Sequence, residues 1–304
     1  MKYLHVKYRF DSEDEKRGMI EACEHNFAKQ IDVLSSAVSD SYSLRAITLC
    51  GPTCSGKTTI CNRLTETLSE AGRNVRLISI DDFFKDRAEL NREAIDLNVE
   101  IDYDSPQSLD LSCLQKCVED IGNLKSVAIP VYDFRTGTRQ GYREMDIGEG
   151  DIILFEGIQA LYPEFRSLLN GINTLSVFAS VENGYNAGGE KFTPREIRLV
   201  RRIVRDYRFR SAPPAFTFYL WKSVSENEEK NIFPYADSAD VRINTELSYE
   251  LSAIKNDIMA VLSLVPNDSE YHHAAEALAG KFKNIESVPI EYIPKNSFFR
   301  EFIG

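Results

Sequence analysis

No apolar stretch in these 304 residues approaches the length of a bilayer span, and the segment Met1–Tyr8 alternates without the apolar core of a signal peptide. A cytoplasmic protein without a membrane role is expected. Positive charge is also scarce: 36 Lys and Arg stand against 47 Asp and Glu, for a formal net charge of −11. That balance argues against a broad nucleic-acid surface, so any anionic ligand must be held by local basic clusters. The six cysteines are irregularly spaced and fit reduced thiols rather than a disulfide framework. Cys113 and Cys117 have neither a second pair nor a nearby histidine to complete a metal site, and packing explains them. Internal repeats and low-complexity tracts are absent. What remains, 43% hydrophobic and 27% charged, is ordinary globular composition with length enough for a sizeable core.

Against this background one string stands out. Gly51-Pro-Thr-Cys-Ser-Gly-Lys-Thr58 matches G-x-x-x-x-G-K-[ST], a turn whose backbone N–H groups wrap a polyphosphate. Gly51 and Gly56 let the backbone approach the ligand, with Thr53, Cys54 and Ser55 between them and Thr59 just beyond. Lys57 neutralises terminal phosphate charge, and the Thr58 hydroxyl suits Mg²⁺. The flanks agree. Ala46–Cys50 is a short apolar run fit for a buried strand, and Ile60, Leu64 and Leu68 fall at helical spacing. Strand, glycine-rich turn and helix would put the phosphates at a helix N-terminus. Cys54, inside the turn, is a candidate redox-sensitive thiol.

Alternation of strands and helices from residue 45 predicts an α/β fold: a three-layer α/β/α P-loop architecture with a mainly parallel sheet. Strands are expected at 75–80, delivering Asp81 and Asp82, at 151–155, delivering Glu156, and at 174–181. Ligands bind outside the carboxyl ends of such strands, so these acids should converge on the phosphate turn. Residues 1–44 form an expected N-terminal strand and helix extension, with Ile20, Cys23, Phe27, Ile31, Leu34 and Val38 as an apolar stripe. That stripe suits docking onto the main domain or a dimer contact. The main P-loop domain is expected over 45–265, with an acceptor-binding insertion at about 91–149 and a helical lid at about 190–215. Residues 266–304, helix and tail, should pack on it. In 194–210, Arg198, Arg201, Arg202 and Arg205 recur three or four apart and share a face. Either acidic neighbours pair with them or they close on phosphates.

A P-loop alone specifies only nucleotide binding. The base-reading Asn-Lys-x-Asp of a GTPase is missing, as is the H-R-D segment of protein kinases. A small-molecule kinase needs an acid for the acceptor proton, metal ligands and mobile cations, and Asp81, Thr58 with Glu156, and the 201–210 arginines can supply them.

With those parts in order, the chain resembles the uridine kinase and phosphoribulokinase family of P-loop kinases, in its bacterial uridine kinase-like branch. The resemblance runs from about Arg45 to about Lys255. It rests on Gly51–Thr59, Ser79-Ile-Asp-Asp-Phe-Phe-Lys85, Asp102-Tyr-Asp-Ser-Pro106 with Asp110, Pro130-Val-Tyr-Asp-Phe134 with Arg139, Phe155-Glu-Gly-Ile158 and Arg201-Arg-Ile-Val-Arg-Asp206. It implies ATP as donor, Mg²⁺ as cofactor, a small-molecule acceptor such as a nucleoside, and self-association. By the same resemblance Asp81 is the catalytic base toward a ribose 5′-hydroxyl, and Asp104 binds the ribose hydroxyls. Tyr103, Phe84, Tyr132 and Arg139 line the acceptor pocket, and Glu156 serves the metal with Thr58. Lys57, Arg201, Arg202, Arg205 and Arg210 grip the phosphates.

Two departures affect base reading. Gly137 stands where nucleoside-specific members carry a histidine, and the four histidines, at 5, 25, 272 and 273, lie outside the motif-bearing region. Ala212 stands where a second lid arginine is expected. Three readings follow: a uridine or cytidine kinase, a kinase for a sugar, sugar phosphate or other polyol, and a nucleotide-binding regulatory protein without chemistry.

Overall fold

Short apolar runs fit only for burial become the centre of the molecule. A computed structural model describes residues 2–98 and 104–304. Among the described residues ten strands occur in chain order: β1 (Tyr3–His5), β2 (Ala46–Cys50), β3 (Val75–Ser79), β4 (Ser126–Asp133), β5 (Thr138–Asp146), β6 (Ile152–Glu156), β7 (Thr174–Ser180), β8 (Gly184–Ala187), β9 (Glu190–Phe192) and β10 (Val241–Asn244). Five of them form a parallel sheet in the order β10-β7-β2-β6-β3. Successive residues of a strand face opposite sides, and here they feed two separate cores. Ile47 and Leu49 of β2 and Ile152 and Leu154 of β6 join one; Ala46, Cys50, Ile153 and Phe155 join the other. The sheet is therefore covered on both faces, the three-layer arrangement expected from the alternating pattern.

The first core holds helices Glu13–Asp40, Lys57–Glu70, Pro194–Arg210 and Glu250–Leu262. The second holds helices Leu111–Gly122 and Pro163–Leu168 and the inner face of the β4–β5 hairpin. The N-terminal stripe packs inside the chain: Ile20, Phe27, Ile31, Leu34 and Val38 are buried, and the helix lies against Lys57–Glu70. Gln30 extends the sheet beyond β10, donating from Nε2 to the Asn244 carbonyl (3.0 Å) and accepting the Asn244 N–H at Oε1 (2.9 Å). The alternating segment at 3–10 yields only β1, which pairs in parallel with β8 in a small separate sheet completed by β9.

The C-terminal residues fold back onto this scaffold. Phe298 packs against Phe27 at a centroid distance of 4.5 Å and sits under the phosphate turn, where a Cβ at Gly56 would meet its ring at 3.1 Å. Phe298, Phe299, Phe302 and Ile303 are all buried. Among the described residues no helix is long and apolar enough to cross a membrane, and all six cysteines are free.

Phe298 thus joins the N-terminal helix, the tail and the phosphate turn. Phe298→Ala should destabilise the protein by about 3–5 kcal/mol, measured as a lower urea midpoint, because a buried ring leaves a cavity that its rigid neighbours cannot fill.

Candidate functional site

The phosphate turn leaves β2 at Gly51, where no other residue fits: a Cβ would lie 2.2 Å from the Ala179 carbonyl oxygen of β7. Two residues of the turn adopt left-handed backbone, Cys54 at φ 57° and Gly56 at φ 83°. Such alternation makes successive N–H groups converge into an anion-binding concavity. Helix Lys57–Glu70 starts directly after Gly56, adding its own N-terminal amides. The Lys57 ammonium lies across the turn, donating to the carbonyls of Gly51 (3.0 Å) and Pro52 (3.4 Å).

Three strand ends supply the rest. β2 leads into the turn, β3 leads through a short 3-10 helix, Ile80–Phe83, that carries Asp81, and β6 ends on Glu156. Together they border a cavity of about 330 Å³. It is lined by Thr53–Thr58, Asp81, Phe84, Asp104, Glu156, Arg202, Arg205 and Arg210, and also by Phe134, Ile158, Val224, Asn227, Glu228, Ile232 and Glu301. Asp81 keeps part of its surface open to the cavity and is otherwise enclosed. Burial, with the neighbouring Glu156 carboxylate and against the pull of Lys57, pushes its pKa up to about 7. Burial raises Glu156 as well, with Lys57 opposing and Glu301 adding. Two confined carboxylates facing one ammonium leave the floor short of positive charge.

The four arginines that share a helix face do not share a fate. Arg198 and Arg201 are 2% and 0% exposed and do not reach the cavity. Arg198 makes a bidentate pair with Glu228 (2.6 and 2.7 Å) and also donates to the Thr53 carbonyl. Glu228 in turn accepts the Thr53 N–H at 3.0 Å. Arg201 is clasped by Glu250, donates to the carbonyls of Cys54 (3.1 Å) and Thr245 (2.7 Å), and lies over Phe298 and Phe302. Arg202 and Arg205 do reach the cavity, each steered by Asp206, and Arg210 lies at its edge, its pKa lowered by burial and by Arg205.

On the hairpin side, Phe84, Tyr132 and Phe134 pack ring on ring at 5.0–5.8 Å. The Tyr132 hydroxyl donates to the Lys85 carbonyl, and Arg139 pairs with Asp110 (3.0 Å) and Tyr142 (3.0 Å). These two flank the cavity rather than line it. Tyr103 lies outside the described residues. At the hairpin tip, Gly137 has φ 71°, and a Cβ there would stand 2.7 Å from Arg87 Nε. Thr59 donates its hydroxyl to Glu301 (2.9 Å), tying the first turn of the helix to the tail.

The sequence reading missed Glu228, Glu250, Asn227, Val224, Ile232 and Glu301. Charge pairs across 30 and 49 residues, such as Arg198–Glu228 and Arg201–Glu250, leave no local pattern. An overlooked hint was that an acidic chain with an arginine-dense helix must bury some of those arginines against acids.

Fold and site together define a P-loop kinase. The profile of the "Phosphoribulokinase / Uridine kinase family" matches residues 46–250, and the chain belongs to that family. It is 29% identical over 198 residues to the uridine kinase of Ureaplasma urealyticum serovar 10, covering 65% of this chain and 86% of that protein. To uridine-cytidine kinase B of Dictyostelium discoideum it is 27% identical over 194 residues, 64% of this chain and 71% of the other. Among solved structures, one described as a possible uridine kinase from Bacillus stearothermophilus is similar with a TM-score of 0.49 at 19% identity, over 72% of this chain and 100% of that one.

Arg201→Ala should cost about 3–5 kcal/mol of stability, read as a fall in the denaturation midpoint, because Glu250 would be left buried without its partner.

Proposed function

We propose that this protein transfers the γ-phosphoryl group of ATP to a primary hydroxyl of a small molecule, the 5′-hydroxyl of uridine, cytidine or a related nucleoside being the leading acceptor. The observation that carries the reading is Asp81: a recessed carboxylate with a pKa near neutrality, in the same cavity as the phosphate turn and three arginines.

In this reading the triphosphate tail lies in the Thr53–Thr58 cradle, and Lys57 leaves its own loop carbonyls for the terminal phosphates. The acceptor hydroxyl sits against Asp81. As its oxygen attacks phosphorus, the O–H proton passes to the Asp81 carboxylate, the new O–P bond forms, and the bond to the β,γ-bridging oxygen breaks to release ADP. Arg202, Arg205 and Arg210 balance charge on the equatorial oxygens, and Arg201 acts from behind by fixing the Cys54 carbonyl. Asp104 binds hydroxyls of the acceptor, with Phe84 and Phe134 as apolar walls; Tyr132 and Arg139 support that wall.

The donor set fits Mg²⁺. Thr58 and Glu156 offer hard oxygen ligands, and the mutual repulsion of Glu156 and Asp81 marks a place where a divalent cation lowers the electrostatic cost. When bound, Mg²⁺ supplies charge neutralisation across the β- and γ-phosphates.

A sugar or other polyol is the second acceptor reading, and the hairpin tip favours it. Gly137 has no side chain to read a base, and the Arg87 guanidinium stands beside it. ADP release measured over a panel of nucleosides and sugars tests both. Stimulation by uridine or cytidine supports the first, stimulation by sugars alone the second. No stimulation by any acceptor removes the kinase reading and leaves nucleotide binding alone. Asp81→Asn should lower kcat by at least about 10²-fold with ATP binding retained.

The base must be unprotonated to accept the proton. Because burial holds the Asp81 proton up to about pH 7, kcat/KM should rise with pH through that region. A profile flat from about pH 5.5 upward would remove Asp81 as the titrating base.

A further inference from the structure

Besides the phosphate turn, the strand-end acids and the arginines, the cavity has a wall to which no role has been given. Helix Pro214–Asn227 runs into a π-turn, Glu228–Ile232, whose following N–H, that of Phe233, reaches back five residues to the Glu228 carbonyl. Such wide turns insert a residue into a helix and re-aim its neighbours, and they recur at functional sites. Here Val224, Asn227, Glu228 and Ile232 border the cavity.

Asn227 is 7% exposed. Its Oδ1 accepts from Asn231 Nδ2, which orients the amide. Its Nδ2 is buried and, among the described residues, meets no acceptor. An enclosed donor without a partner is costly to a fold, and at the edge of a binding cavity a ligand oxygen is the natural partner.

We propose that Asn227 is a specificity-determining residue for the acceptor, donating from Nδ2 to a carbonyl or hydroxyl oxygen of the bound molecule; this rests on the kinase reading above. The charge distribution favours the acceptor over the phosphates. Cations at the cavity come from the turn and from helix Pro194–Arg210, whereas this wall offers two aliphatic side chains, a neutral amide and the Glu228 carboxylate. Glu228 is already engaged by Arg198 and the Thr53 N–H, so this wall brings no free cation to a phosphate, and its neutral amide suits an uncharged, oxygen-bearing acceptor.

The test compares wild type with Asn227→Ala and Asn227→Asp. The second keeps an oxygen for Asn231 and removes the donor. Steady-state kinetics over the nucleoside and sugar panel should show KM for the acceptor raised roughly 10- to 100-fold in both variants, with the order of preference among acceptors altered. KM for ATP and binding of a non-hydrolysable ATP analogue should change by less than about 3-fold. Should Asn227→Ala fail to fold, Asn227→Asp decides by the same comparison. A lowered thermal midpoint with unchanged acceptor KM would make Asn227 structural and overturn the proposal. A raised KM for ATP in place of the acceptor would assign the bond to a phosphate and overturn it too. Wild type that turns over no acceptor removes the kinase reading and this inference together; turnover with acceptor KM unchanged in both variants removes the inference alone.

Discussion

A loop that turns its N–H groups toward a ligand turns its carbonyls the other way, and those carbonyls must be satisfied inside the protein. Arg198 and Arg201 meet that requirement here, reaching from one helix to the Thr53 and Cys54 carbonyls. Two buried cations are tolerable only if two anions come with them, and Glu228 and Glu250 do. Glu228 also accepts the Thr53 N–H, so one carboxylate holds an arginine and the loop together. The turn's shape is therefore fixed by helices far along the chain.

That constraint reaches further. Arg201 lies over Phe298 and Phe302, Phe298 underlies Gly56, and Phe27 of the N-terminal helix packs against Phe298. Glu24 on the same helix accepts from Tyr249 and Ser297, joining helix Glu250–Leu262 and the tail. Both chain ends thus brace the phosphate turn. Once the carbonyl side is rigid, the cavity side can keep its charges unsettled: Asp81 and Glu156 crowd each other while Arg202, Arg205 and Arg210 stand at the rim. Crowded carboxylates facing arginines that share the one carboxylate of Asp206, all held by a stiff frame, suit phosphoryl transfer.

Much of this was legible in the sequence because it is local. Apolar runs ending in Gly51, near Asp81 and at Glu156 marked strands whose carboxyl ends meet, and Ile60, Leu64 and Leu68 marked the following helix. Lys57 and Thr58 needed only their spacing from Gly51. The shared arginine face was also read correctly as a face, yet the split between buried Arg198 and Arg201 and cavity-facing Arg202 and Arg205 depends on acids distant in sequence. The pairing of β1 with β8 joins Tyr3 to Gly184, far apart in the chain, with no pattern to announce it. The bulge near Val131 and Tyr132 and the π-turn after Asn227 likewise leave no local signal in the sequence. Tyr132 and Arg139 were chosen by resemblance, and geometry sets them beside the cavity.

In the proposed reaction the turn's N–H groups and the strand-end carboxylates face one another across a single phosphoryl-transfer centre. A crystal structure with a non-hydrolysable ATP analogue and a nucleoside tests it most directly. The terminal phosphate should lie against Lys57 and the rim arginines, with the acceptor's primary hydroxyl between that phosphorus and Asp81. Triphosphate bound away from the turn, or a hydroxyl on the side remote from Asp81, would contradict it.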